Sequence, residues 1–373
     1  MKRYISLRPI VLTFFYQSLL LLWTAIFFVT LIQLFGIYNL WAIYLLTLLL
    51  LMLDAGLTVG WLLVMRRYSK WRVRFFTLVN LYLGTGHFLV LASLGYWAIQ
   101  IFNDSAELRL PTLAIGRWLV VLALFISAYG VWKSYQIKVV SYKIKIKNLP
   151  LVWRGKKIVM FADVHLGNIR GINFINKTID LVKSEKPDLV LIPGDYFDGP
   201  PADLQALAAP LAEIKAKHGV FFCDGNHEEF KHSVPFVHAL KKAGVVVLNN
   251  DFVEINGLQI IGVDYRSTRG VRHLRKALKT MDFDRNKPSI LMKHVPSGFK
   301  AANEAHIGLM VSGHTHKGQV FPFNLLTKIL FRGYEYGLRP YKNLQVLTTV
   351  GVGTWGPPQR VGTHSEIVSM VLQ

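Results

Sequence analysis

Five short apolar runs in the second half of the chain each end in residues that can bind a metal ion. An isolated Asp-x-His or a single histidine means little, because most histidines are surface or packing residues. Here the residues form a complete ordered set of carboxylates, an amide and imidazoles, which points to one shared metal site rather than to chance. The five groups are Asp163-Val164-His165, Gly194-Asp195, Gly225-Asn226-His227-Glu228, His294 and Gly313-His314-Thr315-His316.

The residue types indicate the metals and the chemistry. Oxygen and imidazole ligands without a thiolate suit divalent ions such as manganese, iron or zinc. The only cysteine, Cys223, excludes internal disulfides and a cysteine-based zinc cage. The set is too large for one tetrahedral ion and suits two ions that share a bridging carboxylate. Two such ions bind a phosphate oxygen and lower the pKa of water, so we expect hydrolysis at phosphorus without a serine or cysteine nucleophile.

The apolar runs that precede these residues predict strands, and amphipathic stretches between them predict helices. This alternation predicts a layered α/β domain, in which loops at the carboxyl ends of the strands meet at one edge. The predicted strands are Lys157–Ala162, Leu189–Pro193, Gly219–Cys223, Ser289–Lys293 and Ile307–Val311. The predicted helices are Phe174–Glu185, Ala202–Lys217 and Val234–Ala243.

Two further stretches extend this domain. Val139–Lys147 alternates apolar and polar residues, which predicts a half-buried strand at the start of the domain. Val245–Asn256 and Leu258–Val263 are predicted to be consecutive strands joined at Asn256-Gly257, a strong hairpin signal. The sheet arrangement should therefore include some antiparallel pairing.

The first part of the chain has the composition of a membrane protein. Each of its four long apolar runs is about as long as the roughly 20 residues needed to cross a bilayer, or longer. A cleaved signal peptide does not explain the first run, because three more follow. We therefore expect a four-helix, all-α transmembrane domain at residues 1–135 and an α/β domain at residues 136–373. The four runs are Ile10–Phe35, Leu40–Met65, Phe75–Phe102 and Leu113–Trp132.

Basic residues cluster in alternate loops between these runs. One set comprises Lys2, Arg3, Arg8, the basic residues of Arg66–Arg74, Lys133 and Lys138. The only charged residues in the other loops are Asp104, Glu107 and Arg109. Basic loops stay in the cytoplasm, so we expect an integral protein of the cell's inner or plasma membrane with both termini and the α/β domain cytoplasmic. Within the spans, Asp54 and His87 indicate either an ion path or, as we favour, interhelical hydrogen bonds.

The ordered set of motifs resembles the signature of the calcineurin-like metallophosphoesterase superfamily, over about residues 140–373. The motifs, in chain order, are Asp-x-His, Gly-Asp, Gly-Asn-His-Glu, His and Gly-His-x-His. The resemblance implies a sandwich of two mixed sheets flanked by helices, with two metal ions at the strand ends. Manganese is the first expectation, with iron or zinc as alternatives. The implied ligands are Asp163, His165 and His316 for one ion, Asn226, His294 and His314 for the other, and Asp195 as the bridge.

The same resemblance implies that His227 assists departure of the leaving group. Glu228 is then expected to orient the His227 ring, because carboxylates commonly fix imidazoles near a metal. Arg360 is a candidate phosphate contact, and the alternative is an ordinary surface arginine. It lies in a glycine- and proline-rich segment that is similar to the closing segment of membrane-associated members of the superfamily. Arg266 belongs to a second basic cluster that could face substrate or lipid headgroups.

The segment Phe321–Phe331 directly follows two candidate ligands and is both apolar and basic. It is either a core helix that covers the sheet or a flap in the membrane interface that receives a lipid-bearing substrate. An interface flap would be needed for lipid substrates and dispensable for a soluble ester.

Composition and charge narrow the function. The chain is 52% hydrophobic and carries a formal charge of +21, which favours a membrane or phosphate-bearing partner. No nucleic-acid-binding module is recognisable, so nucleic acid is not an expected partner. We expect a membrane-anchored two-metal phosphoesterase acting on a lipid or lipid-linked substrate, and one branch of the superfamily cleaves UDP-diacylglucosamine. The alternatives are a tethered phosphodiesterase for soluble nucleotides, or a non-catalytic membrane receptor or transport component.

Overall fold

Four long apolar helices come first in the chain. They are α1 (Leu7–Phe35), α2 (Leu40–Arg66), α3 (Lys70–Ser105) and α4 (Thr112–Ser134). All four contain stretches that are long and apolar enough to cross a membrane. The helices match the predicted runs closely, but α3 begins before the expected span. Arg72 and Arg74, which we expected in a loop, therefore lie in its first turns, where basic residues are good helix formers.

The computed structural model describes residues 7–66, 68–199, 202–230 and 233–373. The chain divides into two compact units, Met1–Gly130 and Val131–Gln373. Lys2, Arg3 and Arg67, which belong to the predicted basic clusters, lie outside the described residues.

Polar residues link the helices of the first unit. Thr24 and Tyr82 both donate to Oδ1 of Asp54, at 3.1 and 2.8 Å, so that one carboxylate connects α1, α2 and α3. His87 is buried, and its ring lies 5.4 Å from that of Trp23. These contacts agree with the interhelical role that we favoured for Asp54.

The second unit contains two six-stranded sheets. Their spatial orders are β1-β12-β2-β3-β4-β5 and β10-β11-β9-β8-β7-β6. In chain order, the strands are β1 (Ile137–Ile144), β2 (Lys157–Met160), β3 (Leu189–Pro193), β4 (Val220–Cys223), β5 (Val246–Val247), β6 (Asp251–Ile255), β7 (Leu258–Gly262), β8 (Ser289–Met292), β9 (Leu309–Ser312), β10 (Gly337–Tyr341), β11 (Leu344–Thr348) and β12 (Ser365–Leu372).

Continuous apolar sequence places the central strands inside the unit. Strands β2, β3 and β4 pair in parallel, as do β7, β8 and β9. Parallel strands are covered on both faces, which explains why they show apolar runs instead of alternation. One buried cluster lies between the sheets, and two others lie under the helices on the outer faces. Those helices are α5 (Ile172–Ser184), α6 (Leu204–Ala208), α7 (Val234–Lys242), α8 (Gly270–Thr280) and α9 (Phe299–Glu304).

Two predicted elements differ from the structure. The helix expected over Ala202–Lys217 is only α6 followed by a 3₁₀ segment, Ala209–Glu213, which contains Pro210. Proline lacks the NH that an α-helix needs at this point. The strand expected over Val245–Asn256 is divided, since β5 belongs to the first sheet and β6 to the second. The hairpin of β6 and β7 around Asn256-Gly257 is confirmed.

Candidate metal centre

Loops after β2, β3, β4, β8 and β9 bring the predicted residues to one place. Five of these residues have positive φ angles between 46° and 74°, which non-glycine residues rarely adopt. Backbone strain of this kind is found mainly at functional sites, where the surrounding structure holds it. The five are Asp163, His165, Asp195, His314 and His316.

Two glycines allow the loops to approach the carboxylates. A Cβ atom on Gly225 would lie 2.1 Å from Oδ1 of Asp195, and one on Gly313 would lie 2.3 Å from Oδ2 of Asp163. Both distances are shorter than any real contact. Only glycine therefore fits at these two positions of the Gly-Asn-His and Gly-His-x-His motifs.

Asp163, His165 and His316 form one group of potential ligands. One donor atom from each lies within 4.8 Å of the other two, and all three residues are buried. The Nε2 atoms of His165 and His316 are 3.0 Å apart. Both oxygens of Asp163 also accept from the backbone NH of His314, at 3.0 and 2.9 Å, which fixes the carboxylate.

A second group surrounds Nε2 of His294. This atom lies 3.1 Å from Oδ2 of Asp195, 3.0 Å from Oδ1 of Asn226 and 3.2 Å from Nδ1 of His314. Oδ2 of Asp195 is also 3.9 Å from Nε2 of His165 in the first group. Asp195 therefore lies between the two groups. Asn226 and His314 are half-buried, so the site opens to solvent on their side.

The donor set fits divalent cations. Nδ1 of His294 faces the carbonyl of Pro193 at 2.9 Å and must donate to it. In a neutral ring, Nε2 then directs a lone pair toward the acceptors of Asp195 and Asn226. Burial lowers the pKa of His294, but Asp195 and Asp163 outweigh it and raise the pKa to about 9. The surroundings thus favour positive charge here, which a cation would supply.

The ionisation of the other groups also suits metal binding. Burial, together with His294, lowers the pKa of His314 to about 3. Burial and the neighbouring His165 hold the pKa of His316 well below its usual range. Both rings are therefore neutral and can offer a lone pair. Burial opposes ionisation of Asp195, but His294 and His227 keep its pKa well below the usual value.

His227 lies beside the two groups, with its ring 4.4 Å from that of His165. Its Nδ1 is 3.1 Å from the carbonyl oxygen of Asp198 and 3.4 Å from the Asp198 carboxylate. Burial lowers the pKa of His227, but Asp195 and Asp198 raise it to about 10. His227 is therefore protonated at neutral pH.

Glu228 occupies a different position from the one we expected. Its carboxylate accepts from the backbone NH groups of Asp195 at 3.0 Å, Gly225 at 2.9 Å and Phe197 at 3.0 Å. The acid beside Nδ1 of His227 is Asp198, which the sequence reasoning missed. Its signal was an acid three residues after Asp195, in the same loop.

Arg360 also differs from its expected role as a phosphate contact. Its side chain is 0% exposed, so it is neither a surface arginine nor open to substrate. Its Nη2 donates to the carbonyls of Val350 at 2.7 Å and Gly353 at 2.6 Å, and lies 3.4 Å from Nδ1 of His316. Gly353 in turn donates to the carbonyl of Asp163 at 2.8 Å. Arg360 thus supports the loop that packs against the Asp163 segment.

Arg266 is exposed in the loop after β7. Two other residues of this loop connect it to the site. The ring of Tyr265 lies 6.2 Å from that of His294, and the guanidinium of Arg269 lies 4.5 Å from the Tyr265 ring. Tyr265 follows a buried strand, so the rule that identified the other site residues could also have identified it.

Comparisons with known proteins agree with this geometry. The family model for calcineurin-like phosphoesterases matches residues 156–318. An uncharacterized metallophosphoesterase of Helicobacter pylori is 34% identical over 268 residues, which cover 70% of each chain. The chain belongs to the calcineurin-like metallophosphoesterase family. It is accordingly a metal-dependent phosphoesterase, with its second unit as the family's α/β fold.

Two other relatives differ in how much of their own length the match covers. A transmembrane protein with metallophosphoesterase domain from Danio rerio is 32% identical over 275 residues, or 68% of this chain and 62% of the relative. An uncharacterized metallophosphoesterase of Aquifex aeolicus is 32% identical over 262 residues, or 68% of this chain and 98% of the relative. The Danio rerio protein and the four apolar helices indicate a membrane protein.

Proposed function

We propose that this chain is a membrane-anchored hydrolase that uses two divalent metal ions to cleave phosphoester or pyrophosphate bonds in a lipid or lipid-linked substrate. The observation that carries the proposal is the position of Asp195, whose Oδ2 lies 3.1 Å from His294 and 3.9 Å from His165. A carboxylate shared between two groups of ligands is what a two-ion site requires.

In this proposal, Asp163, His165 and His316 hold one ion and Asn226, His294 and His314 hold the other, with Asp195 shared. Manganese is our first choice for both ions, and iron or zinc would suit the same ligands. When bound, two such ions supply Lewis-acid stabilisation of phosphate charge and lower the pKa of water.

His227 serves as the general acid. As water adds to phosphorus and the bond to the leaving oxygen breaks, that oxygen takes a proton from Nε2 of the protonated ring. The attacking water releases one proton to solvent, and the neutral ring takes up a proton from solvent before the next turnover. The hydrogen bond from Nδ1 to the Asp198 carbonyl fixes the ring so that Nε2 faces the site. General acids of this kind contribute about 10²–10⁴-fold to the rate.

Two features support a substrate in the membrane. Four helices long enough to cross a bilayer belong to the same chain as the hydrolytic domain. The helix after His316, α10 (Phe323–Leu330), exposes apolar side chains next to the site, and Phe331 at its end lies 6.2 Å from the His314 ring. An acyl-bearing pyrophosphate such as UDP-diacylglucosamine has the chemistry that this combination would accept.

The basic loops support a cytoplasmic position for the hydrolytic domain. Lys70, Arg72 and Arg74 lie near the start of α3, and Lys133 near the end of α4. Basic residues beside spans are retained on the cytoplasmic side. We propose an inner or plasma membrane location with both termini in the cytoplasm.

Phosphorus-31 NMR of the detergent-solubilised full chain with Mn²⁺ tests this function. The panel contains UDP-diacylglucosamine, phospholipids, an isoprenoid diphosphate and soluble nucleotide diesters, with Asn226→Ala as the control. We expect a lipid substrate to be hydrolysed by the native chain and spared by the variant. Turnover of soluble esters alone would indicate that the helices serve only to anchor the chain in the membrane. No turnover with any divalent metal would support a binding role instead of catalysis.

A further inference from the structure

Helix α10 presents its apolar residues outward. Its half-buried positions are Asn324 and Thr327, which are polar and three residues apart on the side that faces the domain. Its exposed face includes Leu325, Leu326, Ile329 and Leu330, with exposed fractions from 49% to 74%, and also Phe323 and Lys328. A helix that only covers a core does the reverse. Of the two alternatives for Phe321–Phe331, the core helix is therefore wrong.

The inner side of α10 is closely fitted, so this orientation is well defined. A Cβ atom on Gly318 would lie 2.3 Å from the backbone of Phe323, which shows how closely the helix start approaches the preceding turn. The side chain of Asn324 lies against Gly362: its Nδ2 is 3.6 Å from the position that a Cβ atom on Gly362 would occupy. The close approach of Gly318 to the backbone of Phe323 and Asn324 thus holds the start of α10 in place and leaves the leucines and Ile329 outside.

An exposed tryptophan and basic residues accompany this face. Trp355 is 62% exposed. Its backbone NH donates to Oε1 of Gln319 at 2.9 Å, and its backbone carbonyl accepts from Nε2 of Gln319 at 3.0 Å. Tryptophan favours the boundary between lipid headgroups and acyl chains. Residues 317–332 contain Lys317, Lys328 and Arg332 and no acidic residue. Exposed aliphatic residues, a tryptophan and positive charge are the combination that binds anionic membrane surfaces.

We propose that α10 and Trp355 form a docking surface for an anionic lipid bilayer, beside the opening of the metal centre. This inference rests on the proposed membrane anchoring and adds how the site would reach a lipid. A second copy of the chain is a poor occupant, because an eight-residue helix is only about 12 Å long. A stable protein interface needs roughly 800 Å² on each partner. The basic residues would also repel an identical basic surface.

Fluorescence quenching by lipids tests the docking surface without requiring activity. Ile329→Cys in the full chain is labelled with a small polarity-sensitive dye and placed in nanodiscs that contain phosphatidylglycerol and lipids spin-labelled near the headgroup. Val234→Cys is the matched control, because Val234 at the start of α7 is 72% exposed and Ile329 is 74% exposed. Cys223 is buried and should not be labelled.

We expect a blue-shifted, strongly quenched signal at position 329, unquenched signal at 234, and weaker quenching when phosphatidylcholine replaces phosphatidylglycerol. Equal quenching at the two positions would overturn the proposal. So would label–label quenching at 329 that depends on two copies in one disc, because it would identify another chain as the occupant. The same experiment with Asn226→Ala should give the same result, so the docking surface can hold even if the proposed hydrolysis fails.

A kinetic comparison links the surface to the substrate. Ile329→Glu should raise KM for a bilayer-embedded substrate on the order of tenfold, because it places a charge on the apolar face. Hydrolysis of soluble bis(p-nitrophenyl) phosphate should not change, and Val234→Glu should leave both reactions unchanged. An equal loss of both activities in Ile329→Glu would indicate a structural role for α10 and contradict membrane docking.

Discussion

His227 has a charged, fixed ring next to the candidate ligands. Its proposed role as the general acid can therefore be tested with substrates whose leaving groups differ in their need for a proton. A nitrophenolate leaves without a proton, whereas an alkoxide needs one. We therefore expect His227→Ala to lower the rate of alkyl ester hydrolysis about 10²–10⁴-fold and that of nitrophenyl ester hydrolysis much less. Steady-state kinetics with the two esters measures this difference.

Two neighbouring acids provide the controls for His227. Asp198→Asn should change the leaving-group dependence in the same direction, because Asp198 is the acid beside Nδ1. Glu228→Gln should lower the rates with both esters alike and reduce thermal stability. The reason is that it disturbs the hydrogen bonds to the buried NH groups of Asp195, Gly225 and Phe197. Each NH group left without a partner lowers the free energy of unfolding by roughly 1–3 kcal/mol. Equal losses on both esters in His227→Ala would contradict the acid role.

Sequence reasoning identified residues at this scale when the chemistry was local. The proposed ligands follow apolar strands directly, so their convergence could be predicted from the strands alone. The partners of Glu228, Asp198 and Arg360 could not, because they depend on which loops meet in space. Arg360 illustrates this, since its main partners are backbone carbonyls, which no side-chain pattern reveals.

At the scale of elements, the loop after β4 must pass unusually close to the loop after β3. Gly225→Ala would place a Cβ atom 2.1 Å from Oδ1 of Asp195. We expect this single methyl group to move Asp195 and so to lower thermal stability, metal content and activity together. Overpacking in a well-packed interior commonly costs about 1–3 kcal/mol. Differential scanning fluorimetry and a hydrolysis assay measure the effects.

Gly171→Ala is the control for Gly225→Ala. Gly171, at the start of α5, has a φ of −113°, and no atom of the described residues lies within 4 Å of a Cβ atom placed on it. We expect near-native stability and activity from this variant. Native-like behaviour of Gly225→Ala would show that the loops are looser than the structure indicates.

The elements themselves were largely predictable. Buried parallel strands appear as apolar runs, and β3 begins and ends where the pattern placed it. The division between β5 and β6 was not predictable, because an apolar stretch carries no mark of the sheet to which it belongs. Helix α10 was ambiguous for a related reason: its residues suit a core as well as a membrane, and only the exposure of Ile329 and Leu330 decides which face is covered.

At the scale of the whole molecule, the basic loops set a testable orientation. Lys133 lies in the last turn of α4 and Lys138 in β1, where the hydrolytic unit begins. A C-terminal fusion to a fluorescent protein that folds only in the cytoplasm should be fluorescent, and one to a periplasmic alkaline phosphatase should be inactive, when made in bacterial cells. The opposite pattern would place the hydrolytic unit outside and exclude cytoplasmic substrates.

The metal content of the full chain tests the central claim most directly. Inductively coupled plasma mass spectrometry of the purified protein, after loading with Mn²⁺ and removal of excess, measures the number of ions per chain. We predict two ions for the native chain and one each for Asp163→Ala and His294→Ala, because each variant removes a ligand from one group while Asp195 and the other group remain. One ion or none in the native chain, or two ions in both variants, would contradict the two-metal centre.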